Sequence, residues 1–204
     1  MMKVIRNILG SLETNCYILI DEDTMEAAVI DPADEADTLR DTIENLGLKL
    51  RYILLTHGHR DHTLAAPALH QMFPEAAVYI HPADKGVVGI YHYPMEELIG
   101  KDLKFYDEGD SLPMGELTFE VIHTPGHTGG SVCLLCGDVL FTGDTLFAGS
   151  MGRIDLPGAV PDKMFASLGR LAKLEGDYQV CPGHMDTTTL DHERQTNLYL
   201  KMLQ

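Results

Sequence analysis

The segment at residues 56–62, with the sequence THGHRDH, is the feature that most constrains the fold of this chain. It follows directly after the apolar run 52–55. A short apolar run without polar alternation is typical of a strand that is buried on both faces. Strands of this kind build sheets covered by helices, and the functional site of such folds lies at the carboxyl ends of the strands. The segment therefore predicts an α/β fold with a site at the end of strand 52–55.

The same segment concentrates metal-binding side chains, because His57, His59, Asp61 and His62 fall within six residues. Imidazole suits zinc, iron and similar metals, and a carboxylate adds negative charge. In an extended backbone His57 and His59 point to the same side, and the turn that follows can direct Asp61 and His62 towards a neighbouring position. One segment can in this way serve two adjacent metal ions. The alternative is a chance cluster on a loop, which a content of ten histidines in 204 residues disfavours.

Three further potential ligands each end a strand-like run and are flanked by glycine. They are His127 in TPGHTGGS, Asp144 in FTGDTLF and His184 in VCPGHM. Glycine lets the backbone turn sharply and bring a side chain close to an ion. Each motif is weak alone, but together with the first segment they give seven candidate ligands. Seven is too many for one tetrahedral ion and fits two ions that share a carboxylate.

The rest of the chain alternates between strand and helix patterns. Strand-like runs occur at 4–8, 16–20, 27–30, 52–55, 77–80, 117–122, 131–135, 139–141 and 178–180. Helical patterns occur at 36–46, 162–174 and 189–203, and another helix is expected to begin near His62 with Pro67 in its first turn. Residues 86–101 and 147–161 are irregular and are expected to form loops over the site. Many strands with flanking helices indicate sheets covered by helices.

The charge and the hydrophobic pattern of the chain limit which partners and which cellular location are expected. The formal net charge of −16 repels phosphate backbones, so no nucleic-acid partner is expected. No apolar run approaches the roughly 20 residues that span a bilayer, and the amino terminus lacks the apolar core of a signal peptide. These features predict a cytoplasmic protein without a membrane partner. Cys133 and Cys136 form a CxxC motif, but on a strand they point to opposite faces, which predicts core or surface thiols instead of a shared metal site.

Taken together, the HxHxDH segment, the distant histidine, the GDTLF aspartate and the late PGH resemble the metallo-β-lactamase superfamily. Within it, TPGHTGGS, GDTLFAGSMGRIDLP and PGHMDTTTLDHERQTN are similar to the small glyoxalase II-like hydrolases. The resemblance covers residues 3 to 200. It implies an α/β fold of the αβ/βα four-layer type, with two mixed β-sheets face to face and helices outside. We expect one domain over residues 1–204, without the carboxyl-terminal helical domain of full-length glyoxalase II, so glutathione specificity does not follow.

The resemblance also implies a role for each candidate ligand. The first metal would be bound by His57, His59 and His127, the second by Asp61, His62 and His184, and both by Asp144. The expected cofactors are two divalent ions, with zinc as the first choice and iron or manganese as alternatives. Asp61 would also be catalytic, because it can orient a hydroxide nucleophile generated by the metals.

Two residues beyond the ligands receive expected roles. Asp31, at the end of strand 27–30, would fix the tautomer of a ligand histidine; the alternative is a turn-starting Asp-Pro. Arg153 would bind the carboxylate of a substrate; the alternative is an ion pair with Asp155.

The expected function is a metal-dependent hydrolase that cleaves a thioester or related acyl bond of a small-molecule substrate. The alternative is an iron-dependent persulfide dioxygenase, in which His57, His127 and Asp144 hold one iron as a facial triad. Both activities use the same residues, so the ligand set does not separate them. The oligomeric state is left open by the sequence.

Overall fold

The first half of the chain folds into a six-stranded mixed sheet. The computed structural model describes residues 1–86 and 91–203. The strands are β1 Met2–Leu9, β2 Thr14–Asp21, β3 Glu26–Ile30, β4 Lys49–Leu54, β5 Ala77–Ile80 and β6 Leu103–Phe105. Their order in the sheet equals their order in the chain. Strands β1 to β3 are antiparallel, whereas β3 to β6 are parallel, so β4 ends between two parallel neighbours.

A second six-stranded mixed sheet comes from the other half. Its strands are β7 Ser111–Met114, β8 Leu117–His123, β9 Val132–Cys136, β10 Val139–Gly143, β13 Gln179–Pro182 and β14 Thr188–Thr189. The order is β14-β13-β10-β9-β8-β7, and β10 with β13 is its parallel pair. Between β10 and β13 the chain forms a small hairpin of β11 Leu146–Phe147 and β12 Ser150–Met151.

Seven α-helices connect or cover these sheets in the described part of the chain. They are α1 Ala36–Asn45, α2 Arg60–Thr63, α3 Ala66–Met72, α4 Met95–Ile99, α5 Pro161–Ala172, α6 Leu190–Thr196 and α7 Leu198–Lys201.

Three separate apolar cores show that the molecule has four layers. Residues that pack the first sheet against α1, α3 and α4 include Ile18, Val29, Leu39, Ile53, Leu69, Val78 and Met95. Residues that pack the two sheets against each other include Tyr17, Leu19, Leu54, Tyr106, Phe119, Leu134 and Phe141. Residues that pack the second sheet against α5, α6 and α7 include Leu140, Met164, Leu168, Leu171, Val180, Leu190 and Leu200. The expected sandwich of two mixed sheets with helices outside is confirmed.

The two cysteines of the CxxC motif confirm the alternation predicted for their strand. Cys133 lies in the core under α5, and Cys136 lies in the core between the sheets. All four cysteines are buried and free. Burial raises the pKa of the Cys133 thiol to about 12 and that of Cys136 to about 11.

Some element boundaries differ from the prediction. The helix expected at 189–203 is broken at Asn197, whose backbone is extended and whose side chain accepts a hydrogen bond from Tyr199 N. The region 86–101, expected as a loop, contains α4, while its residues 87–90 lie outside the described part. The helix expected to begin near His62 is divided into α2 and α3, and Pro67 lies in the first turn of α3. Within the described residues, no helix is long and apolar enough to cross a membrane.

Candidate metal centre

The seven predicted ligands meet where the ends of both sheets come together. His57 and His59 lie in the loop after β4, and α2 carries Asp61 and His62. The other three follow strands of the second sheet: His127 comes after β8, Asp144 after β10 and His184 after β13. The two sheets therefore each supply part of one cluster, which only their face-to-face packing assembles.

One half of the cluster is formed by three buried imidazoles. One ligand nitrogen from each of His57, His59 and His127 lies within 4.8 Å of the others. The closest pair is His59 Nδ1 and His127 Nε2, at 2.7 Å. A tetrahedral zinc ion with bonds of about 2.1 Å separates its ligand atoms by about 3.4 Å, so the three nitrogens fit a single ion with small adjustments.

The other half is formed by Asp61, His62 and His184, whose ligand atoms also lie within 4.8 Å of one another. His62 Nε2 and His184 Nε2 are 3.3 Å apart, and His184 Nε2 lies 3.3 Å from Asp61 Oδ2. These separations match the spacing of about 3.4 Å expected around a tetrahedral ion.

Asp144 lies between the two halves. Its Oδ1 is 3.3 Å from His62 Nε2 in one half, and its Oδ2 is 3.3 Å from His127 Nε2 in the other. Asp144 Oδ1 and His57 Nε2 are buried without a hydrogen-bond partner among residues 1–86 and 91–203. Buried polar atoms without partners are costly, and one cation in each half would satisfy His57 Nε2 in the first half and Asp144 Oδ1 in the second. The residues present therefore fit two metal ions.

Asp31 fixes the tautomers of two of the imidazoles. Its Oδ2 accepts a hydrogen bond from His62 Nδ1 at 2.9 Å and another from Thr56 Oγ1 at 2.7 Å. Since the Thr56 hydroxyl donates to Asp31, it accepts from His57 Nδ1, at 3.0 Å. Both rings thus carry a proton on Nδ1 and direct Nε2 into the cluster. The expected positioning role of Asp31 agrees with this geometry.

His127 is oriented by the backbone of Arg153. Its Nδ1 donates to the Arg153 carbonyl at 2.7 Å, so Nε2 faces the cluster. The Arg153 side chain is 67% exposed and forms two hydrogen bonds of 2.9 Å with Asp155. The structure therefore places the guanidinium in the ion pair that was the alternative to substrate binding, and its contact with substrate stays a prediction.

Protonation states follow from burial and from the charges that meet in the cluster. Burial and the neighbouring imidazoles lower the pKa of His57 well below its ordinary value and that of His59 to about 3, so both rings are neutral at pH 7. Burial opposes ionisation of Asp61, but its hydrogen bond with His184 and the positive charges of His62 and His184 together outweigh burial and leave a pKa of about 2. For His62, the carboxylates of Asp144 and Asp31 outweigh burial and raise the pKa well above its ordinary value.

Gly183 allows the backbone after β13 to lie close to the ligands Asp144 and His62. A Cβ atom at this position would overlap the Asp144 carboxylate and the His62 ring. The glycine before His184 is therefore needed for space, in agreement with the reason given for glycines beside ligands.

Asp84 is a structural residue that the sequence did not reveal. It is buried, and its carboxylate accepts hydrogen bonds from Gly58 N at 2.8 Å, Thr128 Oγ1 at 2.7 Å and Gly130 N at 2.9 Å. It thereby joins the loop that carries His59 to the loop that follows His127. Asp84 stands alone in the segment HPADKG, and no motif or spacing in the sequence indicates this role.

A fourth group, formed by His81, Asp107 and His123, is not arranged for a metal. The two rings are stacked with centroids 4.1 Å apart and planes 13° apart. An ion lies in the plane of each ring that binds it, and nearly parallel rings direct their lone pairs along lines that do not meet. His123 Nε2 also donates to the Gly129 carbonyl at 2.9 Å. This group is satisfied by protein hydrogen bonds.

A pocket of about 380 Å³ opens beside the centre. Asp61 and Thr14 are among its lining residues, together with the apolar residues Leu9, Leu12 and Leu64. It lies between the turn that joins β1 to β2 and the start of α2. The pocket can hold a small organic molecule next to the candidate metal positions.

The fold and the ligand set together define a family. The model of the metallo-β-lactamase superfamily matches residues 9–184, a span that contains all seven candidate ligands. The chain belongs to this superfamily.

Individual relatives give a finer comparison. The chain is 34% identical over 200 residues to hydroxyacylglutathione hydrolase GloC of Haemophilus influenzae, covering 93% of this chain and 94% of that protein. Among solved structures, BLEG-1 B3 metallo-β-lactamase has a TM-score of 0.85 at 32% identity, with 97% of this chain and 99% of that chain covered. ETHE1 from Myxococcus xanthus has a TM-score of 0.81 at 29% identity, with coverage of 96% and 83%.

Proposed function

We propose that this protein is a binuclear metallohydrolase that cleaves a thioester or a related acyl bond. The observation that carries the proposal is the position of Asp144 between two groups of three ligands, with one carboxylate oxygen near each group. An anion shared between two cations is typical of two-metal hydrolytic centres.

Each ligand has a role in this proposal. One ion would be held by His57, His59 and His127, the other by Asp61, His62 and His184, with Asp144 between them. Zinc is the first choice, and the imidazole and carboxylate donors also suit iron or manganese. When bound, the two ions would lower the pKa of a water molecule and polarise the substrate carbonyl.

Asp61 is the residue that links the centre to the substrate. It is one-quarter exposed and lines the pocket, and its Oδ2 accepts a 3.4 Å hydrogen bond from Thr14 Oγ1. A pKa of about 2 keeps the carboxylate ionised at neutral pH, so it can accept a hydrogen bond from an attacking water and orient that water.

The choice of a thioester rests on the relative from Haemophilus influenzae, whose name describes the hydrolysis of hydroxyacylglutathione. The similarity to ETHE1 keeps the alternative of a persulfide dioxygenase open. In that case His57, His127 and Asp144 would hold a single iron as a facial triad. A small-molecule substrate, a cytoplasmic location and the absence of nucleic-acid and membrane partners are part of the proposal.

Metal content tests the centre itself. We expect two metal ions per chain in the reconstituted wild-type protein. Asp144→Asn should lower occupancy at both positions, because it removes the charge that offsets the repulsion between two cations. Asp138→Asn, in the turn between β9 and β10, is the matched control and should keep both ions. Full occupancy in Asp144→Asn, by elemental analysis, would contradict the bridging role.

Enzyme assays distinguish the proposed thioester hydrolase from the alternative persulfide dioxygenase. The zinc-loaded and iron-loaded proteins are assayed with S-D-lactoylglutathione for thioester loss and with glutathione persulfide for oxygen uptake. Thioester cleavage by a protein with two ions supports the hydrolase. Oxygen uptake by a protein with one iron, without thioester cleavage, would replace it with the dioxygenase.

A further inference from the structure

Arg60 differs from every other arginine of the chain in its ion pairing. Arginine occurs at seven positions in the sequence. Six of these side chains lie within 4.0 Å of a carboxylate: Arg6, Arg40, Arg51, Arg153, Arg170 and Arg194. Among residues 1–86 and 91–203, no carboxylate forms such a pair with Arg60, although the protein has 31 acidic residues. An unpaired cation on so acidic a protein is available to an anion from outside.

The position of Arg60 connects this cation to the centre. It immediately precedes Asp61, its side chain is exposed, and both residues line the pocket beside the centre. Its backbone N donates to the Tyr91 carbonyl at 2.8 Å, and its guanidinium lies 5.8 Å from the centre of the Tyr93 ring. The backbone of Arg60 is therefore fixed beside the pocket, and its charged group is partly oriented by an aromatic face.

Apart from Arg60, the pocket is lined by apolar, neutral polar and acidic residues. Leu9, Leu12 and Leu64 are apolar, whereas Asp34 lies beside Gly10 on the side of the β1–β2 turn. Arg60 is the only cation among the described residues that line the pocket. A ligand in this pocket can thus place an aliphatic segment against the leucines and one negative group at Arg60, while Asp34 disfavours a negative group on the opposite side.

We infer that Arg60 determines specificity by binding the carboxylate of the substrate, and that the substrate class is a small acyl thioester or ester with one carboxylate and an aliphatic segment. The inference rests on the proposed function for the cleaved bond, but not for the binding of the carboxylate. It places the substrate carboxylate at the start of α2, where Arg60 lines the pocket. Arg153, which is bound to Asp155, lies in the loop after β12 and has no part in it.

The kinetic test compares two thioesters that differ only in charge, S-acetyl-3-mercaptopropionate and S-acetyl-3-mercaptopropionamide. With the zinc-loaded protein, Arg60→Gln should raise KM for the carboxylate about threefold to thirtyfold, the range between an exposed and a desolvated ionic contact. The kcat should change less than twofold, and KM for the amide should stay within twofold. Arg60→Lys should recover part of the loss, and 0.5 M salt should weaken the carboxylate preference of the wild type.

A binding test makes the inference independent of hydrolysis. S-Propyl-3-mercaptopropionate and its amide are thioethers that cannot be hydrolysed, and their Kd values are measured by calorimetry. We expect tighter binding of the carboxylate to the wild type and loss of this preference in Arg60→Gln. Arg40→Gln, which removes an exposed charge on α1, is the matched control and should behave as the wild type.

The outcomes separate the two proposals. If neither thioester is cleaved but the thioether preference depends on Arg60, the function is wrong and the anion site stands. If both thioesters are cleaved and Arg60→Gln affects them equally or not at all, the function stands and the anion site is wrong. A charge preference that is lost in Arg153→Gln and kept in Arg60→Gln, or a thioether that does not bind the wild type, also overturns the inference.

Discussion

Three ligand histidines of the centre form hydrogen bonds through the ring nitrogen that faces away from the candidate metal positions. Asp31 accepts hydrogen bonds from His62 and from Thr56, and Thr56 accepts one from His57. The carbonyl of Arg153 accepts a hydrogen bond from His127 Nδ1. Each such contact selects which ring nitrogen carries the proton, and thereby which one can bind a metal.

His62 makes metal loading depend on pH. Its raised pKa means that the ring is doubly protonated at pH 7 before a metal binds, with Nδ1–H donating to Asp31 and Nε2 forming an ion pair with the Asp144 carboxylate at 3.3 Å. A metal at the second position must displace the Nε2 proton. We therefore expect about one proton released as the second ion binds, and an affinity that rises with pH by up to about tenfold per unit until the pH exceeds this pKa.

Calorimetry in two buffers with different ionisation enthalpies measures this release. Asp31→Asn is the informative variant, because loss of its charge lowers the pKa of His62 and should reduce the number of protons released. Binding of the second ion without a released proton at pH 7 would show that His62 is already neutral.

Substitution of Gly183 tests whether the centre has room for one additional carbon atom at this position. Gly183→Ala should displace Asp144 or His62, and we expect metal content to fall and kcat/KM to drop by about tenfold or more, since small misplacements in a centre are costly. Gly169→Ala is the control, because a Cβ there meets no atom closer than 3.9 Å and the position lies inside α5. It should leave activity unchanged and stabilise the fold by roughly 0.5–1 kcal/mol. Equal behaviour of the two variants would show that the Gly183 backbone can move away.

At the scale of elements, the centre depends on loops that different strands deliver to one place. The loop after β4 follows a strand of the first sheet, and the loop after β8 follows a strand of the second sheet. Asp84, in the connection from β5 to β6, joins them through hydrogen bonds to Gly58, Thr128 and Gly130. This carboxylate therefore holds His59 and His127 at a fixed separation.

Loss of Asp84 should loosen this connection. Asp84→Ala removes three hydrogen bonds and leaves the amides of Gly58 and Gly130 without an acceptor. At about 1 kcal/mol for each bond the free energy of unfolding should fall by roughly 3 kcal/mol. Urea denaturation of the metal-free protein measures this loss. Metal titration should show weaker binding mainly at the group of His57, His59 and His127. Asp138→Ala is the exposed control. A variant with unchanged stability and unchanged first-site affinity would refute the joining role.

At the scale of the whole molecule, the four cysteines are distributed over all three cores. Cys16 lies between the first sheet and its helices, Cys136 and Cys181 between the sheets, and Cys133 between the second sheet and its helices. Burial raises the pKa of Cys181 to about 12, close to that of Cys133. Reaction with a thiol reagent needs both access and the thiolate.

Thiol reactivity therefore reports on the integrity of each core. With a disulfide reagent at pH 8, we expect none of the four thiols to react within minutes in the native protein, and all four in 6 M guanidinium. A thiol that reacts at once in the native state would identify a core that opens locally, and mass spectrometry of the labelled peptide would identify which one.

The sequence by itself determined the local features of this protein. Apolar runs bounded by glycine located most strands, because the hydrophobic pattern of a strand depends only on residues that are neighbours in the sequence. The dense HGHRDH segment and the three Gly-flanked ligands identified the candidate ligands, because metal-binding side chains are rare at such spacing. Patterns were weaker at short edge strands such as β6 and β7, which carry few residues and were not predicted.

Tertiary structure decided what depends on contacts between distant segments. The break at Asn197 follows from its hydrogen bonds to the carbonyls of Phe147 and Ser150, which no local pattern announces. The role of Asp84, the pairing of Arg153 with Asp155 and the unpaired state of Arg60 among the described residues are of the same kind. A side chain's charge is fixed by its identity, but its partner is fixed by packing, and packing brings together residues that the sequence keeps apart.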